Sequence, residues 1–193
     1  MRQELPRKAL HLATNSVIPI VYYFMDIPQI IMSELLGLAA IIFVIIDLGR
    51  TRNIWIAKIF QKFFNRMMRS HELDGKLTGA SYLLIGSFIT VILFPKGIAV
   101  LALLFATFGD TFAALIGKKF GRIKIGSKTL EGFLAGLVVC LFISYLVPDV
   151  PNIIKYFGAF SAMFIELMPI RIDDNLRIPM FSGLVMDIVK FFM

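Results

Sequence analysis

Apolar residues in this chain run in long blocks, without the strict alternation of half-buried strands. The blocks cover about 9–25, 29–47, 78–94, 98–117, 131–147, 156–168 and 178–193. Most are closed by a charge or a proline: Asp26 and Pro28, Asp47, Pro95-Lys96-Gly97, Pro148 and Pro169. A helix needs roughly 20 residues to cross the hydrocarbon of a bilayer. The sixth and seventh blocks are short, which suits tilted partners in a bundle or helices that reach only part way. The pattern predicts an all-α, polytopic membrane protein of about seven transmembrane helices, forming a single domain over residues 1–193.

Composition agrees. The chain is 58% hydrophobic with a mean hydropathy of +0.82, too apolar for a soluble domain of this size to cover with polar surface. Its one cysteine, Cys140, lies in an apolar block, so there is no disulfide framework. The start Met-Arg-Gln-Glu-Leu-Pro-Arg-Lys has the charge of a signal peptide head, but no small-residue cleavage site follows. The first block is therefore expected to be retained.

The net charge of +7 would point to nucleic acid in a soluble protein. Here it has a topological meaning. Basic residues precede the first block (Arg2, Arg7, Lys8). They recur between the second and third (Arg50 through Lys76), the fourth and fifth (Lys118 through Lys128), and the sixth and seventh (Arg171, Arg177). Of 20 lysines and arginines, only Lys96, Lys155 and Lys190 fall in the alternate set. Seven spans with a cytoplasmic N-terminus put the whole majority inside, where some can attract anionic headgroups. Residues 48–77 form a basic cytoplasmic connector. Within it, Ile54 to Met68 has amphipathic helical spacing and is either an interfacial helix or a plain connecting helix packed on the bundle.

Topology also sorts the polar residues that can do chemistry. Asp110 sits within the fourth block, about 10 Å of helix before Gly117. A carboxylate in hydrocarbon is costly and usually functional, and Gly109 with Ala113-Ala114 allows another helix to come close. A loop follows with five basic residues and Gly117, Gly121 and Gly126, which suits phosphate. Lys118 and Lys119 read as positive-inside anchors; Lys128 is the favoured phosphate contact. Lys128-Thr129-Leu130-Glu131-Gly132 also fits a helix start, with Thr129 as cap, and a helix N-terminus binds phosphate well. Arg7, Lys8 and His11 border the first block on the same side, as do Glu72, Asp74 and Thr78 before the third. Glu166 and Asp173-Asp174-Asn175 supply hard oxygen ligands that suit magnesium beside phosphates. Asp26, Asp149 and Asp187 lie on the other side as segment punctuation. The chain has no Walker-type phosphate loop, zinc spacing or Ser-His-Asp arrangement.

These residues resemble a family. Gly109-Asp110-x-x-Ala113-Ala114-x-x-Gly117-x-x-x-Gly121, followed by Lys128-Thr129-x-Glu131-Gly132, is similar to the CTP-dependent lipid kinases: dolichol kinase, phytol kinase and yeast-type diacylglycerol kinase. Arg7-Lys8-x-x-His11, Glu72 to Tyr82, and Glu166 through Pro179 resemble that branch too, so the likeness runs from about Arg7 to Pro179. The CDP-diacylglycerol synthases are a more distant match: their Ser-Pro ahead of Lys-Lys-Thr is replaced here by Gly126-Ser127, and their long C-terminal signature is missing. The short chain looks like the compact prokaryotic form, described as a diacylglycerol or polyprenol kinase.

The resemblance implies transfer of the γ-phosphoryl group of CTP to the hydroxyl of a lipid alcohol, with Mg2+ as cofactor, at the cytoplasmic face of the cell membrane. The implied catalytic residues are Asp110, Lys128, Glu131 and Asp174. The implied nucleotide contacts are Arg7, Lys8 and His11, together with Gly117, Gly121, Lys128, Thr129 and Gly132. Metal would fall to Asp110, Glu166, Asp173, Asp174 and Asn175. The partners implied are the lipid alcohol, membrane lipids and a nucleotide. Two alternatives stay open: a cytidylyltransferase that forms a CDP-lipid, and a transporter or scaffold without catalysis.

Overall fold

The computed structural model describes residues 4–52, 77–170 and 172–193, with the side chains of 4–7 and 52 left aside. The connector 53–76 lies outside the described residues, and with it the amphipathic stretch Ile54–Met68, Glu72 and Asp74. So does Arg171.

Each apolar block becomes a helix. They are α1 (Glu4–Phe24), α2 (Gln29–Arg52), α3 (Gly79–Leu93), α4 (Lys96–Phe120), α5 (Leu130–Leu146), α6 (Asn152–Leu167) and α7 (Asp174–Phe191). Thus the described residues form an all-α bundle. By length and composition, α2 and α4 are able to cross a membrane, and α3 and α5 are apolar but shorter. The last two helices start earlier than the hydropathy blocks. Pro151 precedes α6. Asp173 caps α7, its side chain accepting from the Asn175 amide, so that Asp174, Asn175 and Arg177 are helical although polar.

The bundle is built around α4, which is largely buried and touches α1, α3, α5, α6 and α7. Every residue from Ile98 to Phe105 is buried. α2, by contrast, is mostly exposed and packs on α3. Helices α4 and α5 approach closely. Gly109, Ala113 and Gly117 recur every four residues on α4 and meet Gly132, Gly136 and Cys140 at the same spacing on α5. A Cβ on Gly132 would lie 2.6 Å from the Ala113 carbonyl oxygen, and one on Gly109 2.8 Å from Cys140 Sγ. Small residues at this spacing let two backbones touch, and packing is the main attraction between helices in apolar surroundings.

Midway along α4 the turn Phe105–Gly109 is a π-helix. Such a turn inserts one residue and rotates the remainder of the helix by roughly 100°. Thr107 and Thr111 hydroxyls donate back to the Leu103 and Thr107 carbonyls at 2.8 and 2.7 Å. Asp110 is the first residue after the π turn.

Asp47, expected only to punctuate the second block, is buried and organises a joint. Its Oδ2 accepts from Thr78 N at 2.7 Å, Thr78 Oγ1 at 2.9 Å and Ser81 Oγ at 2.7 Å, and its Oδ1 accepts from Arg50 Nε at 3.0 Å. These bonds tie the end of α2 to the start of α3, where Thr78 is the N-cap. Removing one partner of a buried, hydrogen-bonded pair costs about 3–5 kcal/mol. Asp47→Ala is expected to lower stability by that amount, read as a lower midpoint of thermal unfolding in detergent. A midpoint equal to wild type would show that the joint is not structural.

Candidate functional site

At one end of the bundle, helix ends and a hairpin surround a cavity of about 340 Å³, within the range of small-molecule sites. The hairpin follows from the loop sequence. Lys124-Ile125 (β1) pairs antiparallel with Lys128-Thr129 (β2) across Gly126-Ser127. Gly126 has φ +60°, as the first position of a tight two-residue turn demands. The basic, glycine-containing loop is thus closed into a hairpin, which brings Lys128 against Glu166 and Asp174. Thr129 ends β2 and caps α5, accepting from Gly132 N at 3.2 Å as the cap pattern predicts.

Six segments contribute charge or contour. α1 brings Lys8. α4 brings Asp110, Ala113, Ala114, Gly117 and Lys118. The hairpin brings Ser127, Lys128 and Thr129, and α5 brings Gly132 and Phe133. Glu166 comes from the last turn of α6 and Asp174 from the first turn of α7. Lys8 Nζ donates to Asp110 Oδ2 at 2.6 Å, both groups being buried. Lys128 Nζ donates to the nearly inaccessible Glu166 and stands 3.6 Å from Asp174 Oδ2. Burial pulls the Lys128 ammonium down, but the carboxylates of Asp174, Glu166 and Asp110 outweigh it and raise its pKa above the ordinary lysine value. Lys128 is thus held as a cation.

Asp174 is itself held. Arg177, one turn along α7, donates through Nη2 to Asp174 Oδ1. Its Nη1 donates to the Met168 carbonyl at 2.7 Å and to that of Ile170 at 3.4 Å. Arg177, which the charge count treated as a topological marker, therefore ties the α6–α7 turn to a carboxylate of the cavity. The signal was available in the i, i+3 spacing of Asp174 and Arg177 at a helix start.

The remaining candidates lie elsewhere. His11, Asp173 and Asn175 form a second, partly buried polar joint together with Asn15. His11 Nε2 is 3.1 Å from Asn175 Oδ1 and 3.0 Å from Asn15 Nδ2. Asn15 Nδ2 also donates to Asn175 Oδ1 at 3.0 Å. Asp173 Oδ1 accepts from Asn175 N and Nδ2 at 3.0 and 2.9 Å. This joint ties α1 to α7; none of its members lines the cavity. Asn15 was not among the expected residues, though it sits one turn beyond His11. Glu131 does not line the cavity; its carboxylate accepts from Ile123 N at 3.1 Å and fastens the loop ahead of the hairpin. Gly121 packs against Thr129. The Arg7 side chain is outside the described atoms.

Three lysines (Lys8, Lys118, Lys128) and three carboxylates (Asp110, Glu166, Asp174) thus line one cavity. Their charges balance. An anion entering can take over ammonium groups now shared with carboxylates, and a cation can take the carboxylates released. Among the described residues, no three His, Cys, Asp or Glu gather as a metal cluster.

Comparison with known proteins bears on this arrangement. No family model matches the chain, and no solved structure matches it. The uncharacterized protein RP860 of Rickettsia prowazekii is 34% identical over 92% of this chain and 90% of its own length. CTP-dependent diacylglycerol kinase 1 of Saccharomyces cerevisiae is 26% identical over 97% of this chain and 74% of its own. The enzyme of the same name from Schizosaccharomyces pombe is 29% identical over 67% and 70%. The chain belongs to the family of the Rickettsia protein RP860 and has CTP-dependent diacylglycerol kinases as distant homologues.

Proposed function

We propose that this chain is a CTP-dependent lipid kinase. It transfers the γ-phosphoryl group of CTP to the hydroxyl of a lipid alcohol such as a diacylglycerol or a polyprenol. The observation that carries this reading is the convergence of Lys8, Asp110, Lys128, Glu166 and Asp174 on one cavity from segments far apart in sequence. The distant homology to diacylglycerol kinases supports both the donor and the class of acceptor. The bias of lysine and arginine supports a multi-pass protein with its N-terminus and the cavity at the cytoplasmic face. There the cavity lies at the depth of a lipid hydroxyl.

Phosphoryl transfer asks little covalent chemistry of a protein; it needs charge neutralisation and in-line positioning. Lys128 and Lys8 exchange their carboxylate partners for phosphate oxygens, and Lys118 borders the same space. Gly117 and Gly132 keep that wall free of side chains. Arg177 keeps Asp174 in place while Lys128 changes partner. A carboxylate of the cavity, Asp110 or Glu166, accepts the proton of the acceptor hydroxyl.

The donor set fits magnesium. It is made of hard oxygens beside a phosphate space, and magnesium needs only one or two protein carboxylates when phosphates supply other ligands. Asp110 and Asp174 would hold it, and it would neutralise phosphate charge that the balanced lining cannot. This narrows the sequence expectation, since Asp173 and Asn175 are engaged in the α1–α7 joint.

The purified protein, given labelled CTP and a panel of lipid alcohols, is expected to yield a phospholipid and CDP. Release of pyrophosphate would instead mark a cytidylyltransferase, and absence of nucleotide turnover a transporter or scaffold. Lys128→Ala and Asp110→Asn are each expected to lower kcat about 10²–10³-fold, the usual loss on removing one group aimed at transition-state charge. Full activity in both would sink the site assignment. Glu131→Gln keeps an acceptor for Ile123 N, so its activity is expected to stay within about threefold of wild type, less than one net hydrogen bond. A hundredfold loss would place Glu131 in the chemistry.

A further inference from the structure

Phe133 is the one aromatic residue among the described residues lining the charged cavity. It is not isolated. Its ring meets that of Phe160 on α6 edge to face, 6.1 Å between centroids and 87° between planes. Phe160 in turn stacks on Phe164, 6.2 Å away and 15° from parallel. Phe160 and Phe164 are 53% and 40% exposed, and Tyr156, one turn further along the same face, is 51% exposed. Tyr156, Phe160 and Phe164 follow at i, i+4 and i+8, one stripe of a helix. Glu166, which lines the cavity, is two residues past Phe164. The stripe therefore begins at the depth of the cavity and runs about 12 Å along α6 away from it.

A lipid alcohol must place its hydroxyl beside the phosphate while its hydrocarbon stays out of a lining of lysines and carboxylates. An apolar path continuous with that lining meets the need, and it starts at Phe133. The apolar face of α2, where Ile30, Leu38 and Ile45 are exposed, does not reach that lining: no residue of α2 lines the cavity. We propose that the aromatic stripe Phe133–Phe160–Phe164–Tyr156 on α5 and α6 is the binding track for a hydrocarbon chain of the acceptor lipid, which enters the cavity sideways from the bilayer. The proposal rests on the kinase reading for the identity of the hydroxyl donor, but the track itself is a binding site and is tested as one.

The full chain in lipid nanodiscs is assayed with labelled CTP and two acceptors, a diacylglycerol with eighteen-carbon chains and one with six-carbon chains. Phe160→Ala and Phe164→Ala are expected to raise KM for the long acceptor roughly tenfold, the loss of about 1.4 kcal/mol of binding. KM for CTP and for the short acceptor should stay within about twofold, as should every constant of Leu38→Ala on α2. Equal losses for both acceptors and for CTP would overturn the track. Binding is read separately, without nucleotide, by a long-chain diacylglycerol carrying an alkyl diazirine. Labelling concentrated on α5 and α6 and lost in the double variant supports the track, whether or not the protein phosphorylates lipid. Labelling spread evenly over α2 and α6, or crosslinks between α6 helices of two copies, overturns it. If wild type phosphorylates no lipid but labels as expected, the kinase reading falls and the track stands.

Discussion

A charged group in an apolar bundle has to find a partner, because the cost of leaving it bare in a low-dielectric interior exceeds what packing can return. Much of this structure stems from that requirement. Asp110 is bearable in the middle of α4 because Lys8 reaches it from α1. Glu166, almost without exposure, has the Lys128 ammonium. Asp174 divides its two oxygens between Arg177 and Lys128. Asp47 draws four donors around it at the α2–α3 joint. These pairs fix the relative placement of helices whose apolar surfaces, being alike, would pack in many ways. The joints at Asp47 and around Asn175 are structural. The third cluster, Lys128 with its carboxylates, lines the cavity together with Lys8 and Asp110.

What distinguishes that third cluster is the means by which it is reached. Lys128 is carried on a hairpin strand rather than on a helix, and it lies between three carboxylates from three helices. A side chain shared among several partners is poised to change them at modest cost. The close contact of α4 and α5 through Gly109, Ala113, Gly117, Gly132 and Gly136 holds the walls rigid around it. The π turn just before Asp110 sets the rotation of the helix there. A closely packed wall beside a cation shared among carboxylates is an arrangement suited to an anion, since the wall need not repack when the ion pairs are exchanged.

Glu131 and Lys128 show how far a motif can be read. Both belong to one five-residue element, three positions apart, and the element suggested a shared role. In the fold, β2 ends and α5 begins between them, so their side chains part: Lys128 goes to the cavity and Glu131 back to Ile123. In the same way Asp173, Asp174 and Asn175 are consecutive, yet only Asp174 lines the cavity, because the first is a cap and the third is drawn to Asn15 and His11. Helical geometry separates neighbours by 100° and joins residues three or four apart. A cluster in sequence is thus a poor guide to a cluster in space.

Hydrophobic runs determined the seven helices and most of their ends, because burial of apolar surface depends on local pattern alone and Pro and Asp interrupt it visibly. The cap at Thr129 was legible for the same reason: it depends on residues within a single turn. The pairing of Lys8 with Asp110, separated by 102 positions, was not. Neither were the α2–α3 joint at Asp47, the choice of Asp174 over its neighbours or the aromatic path from Phe133 to Phe164. Each requires knowing which helix faces which, and in a bundle of uniformly apolar helices that is decided by where small residues permit contact and where buried charges meet, properties of pairs of segments that no single segment displays.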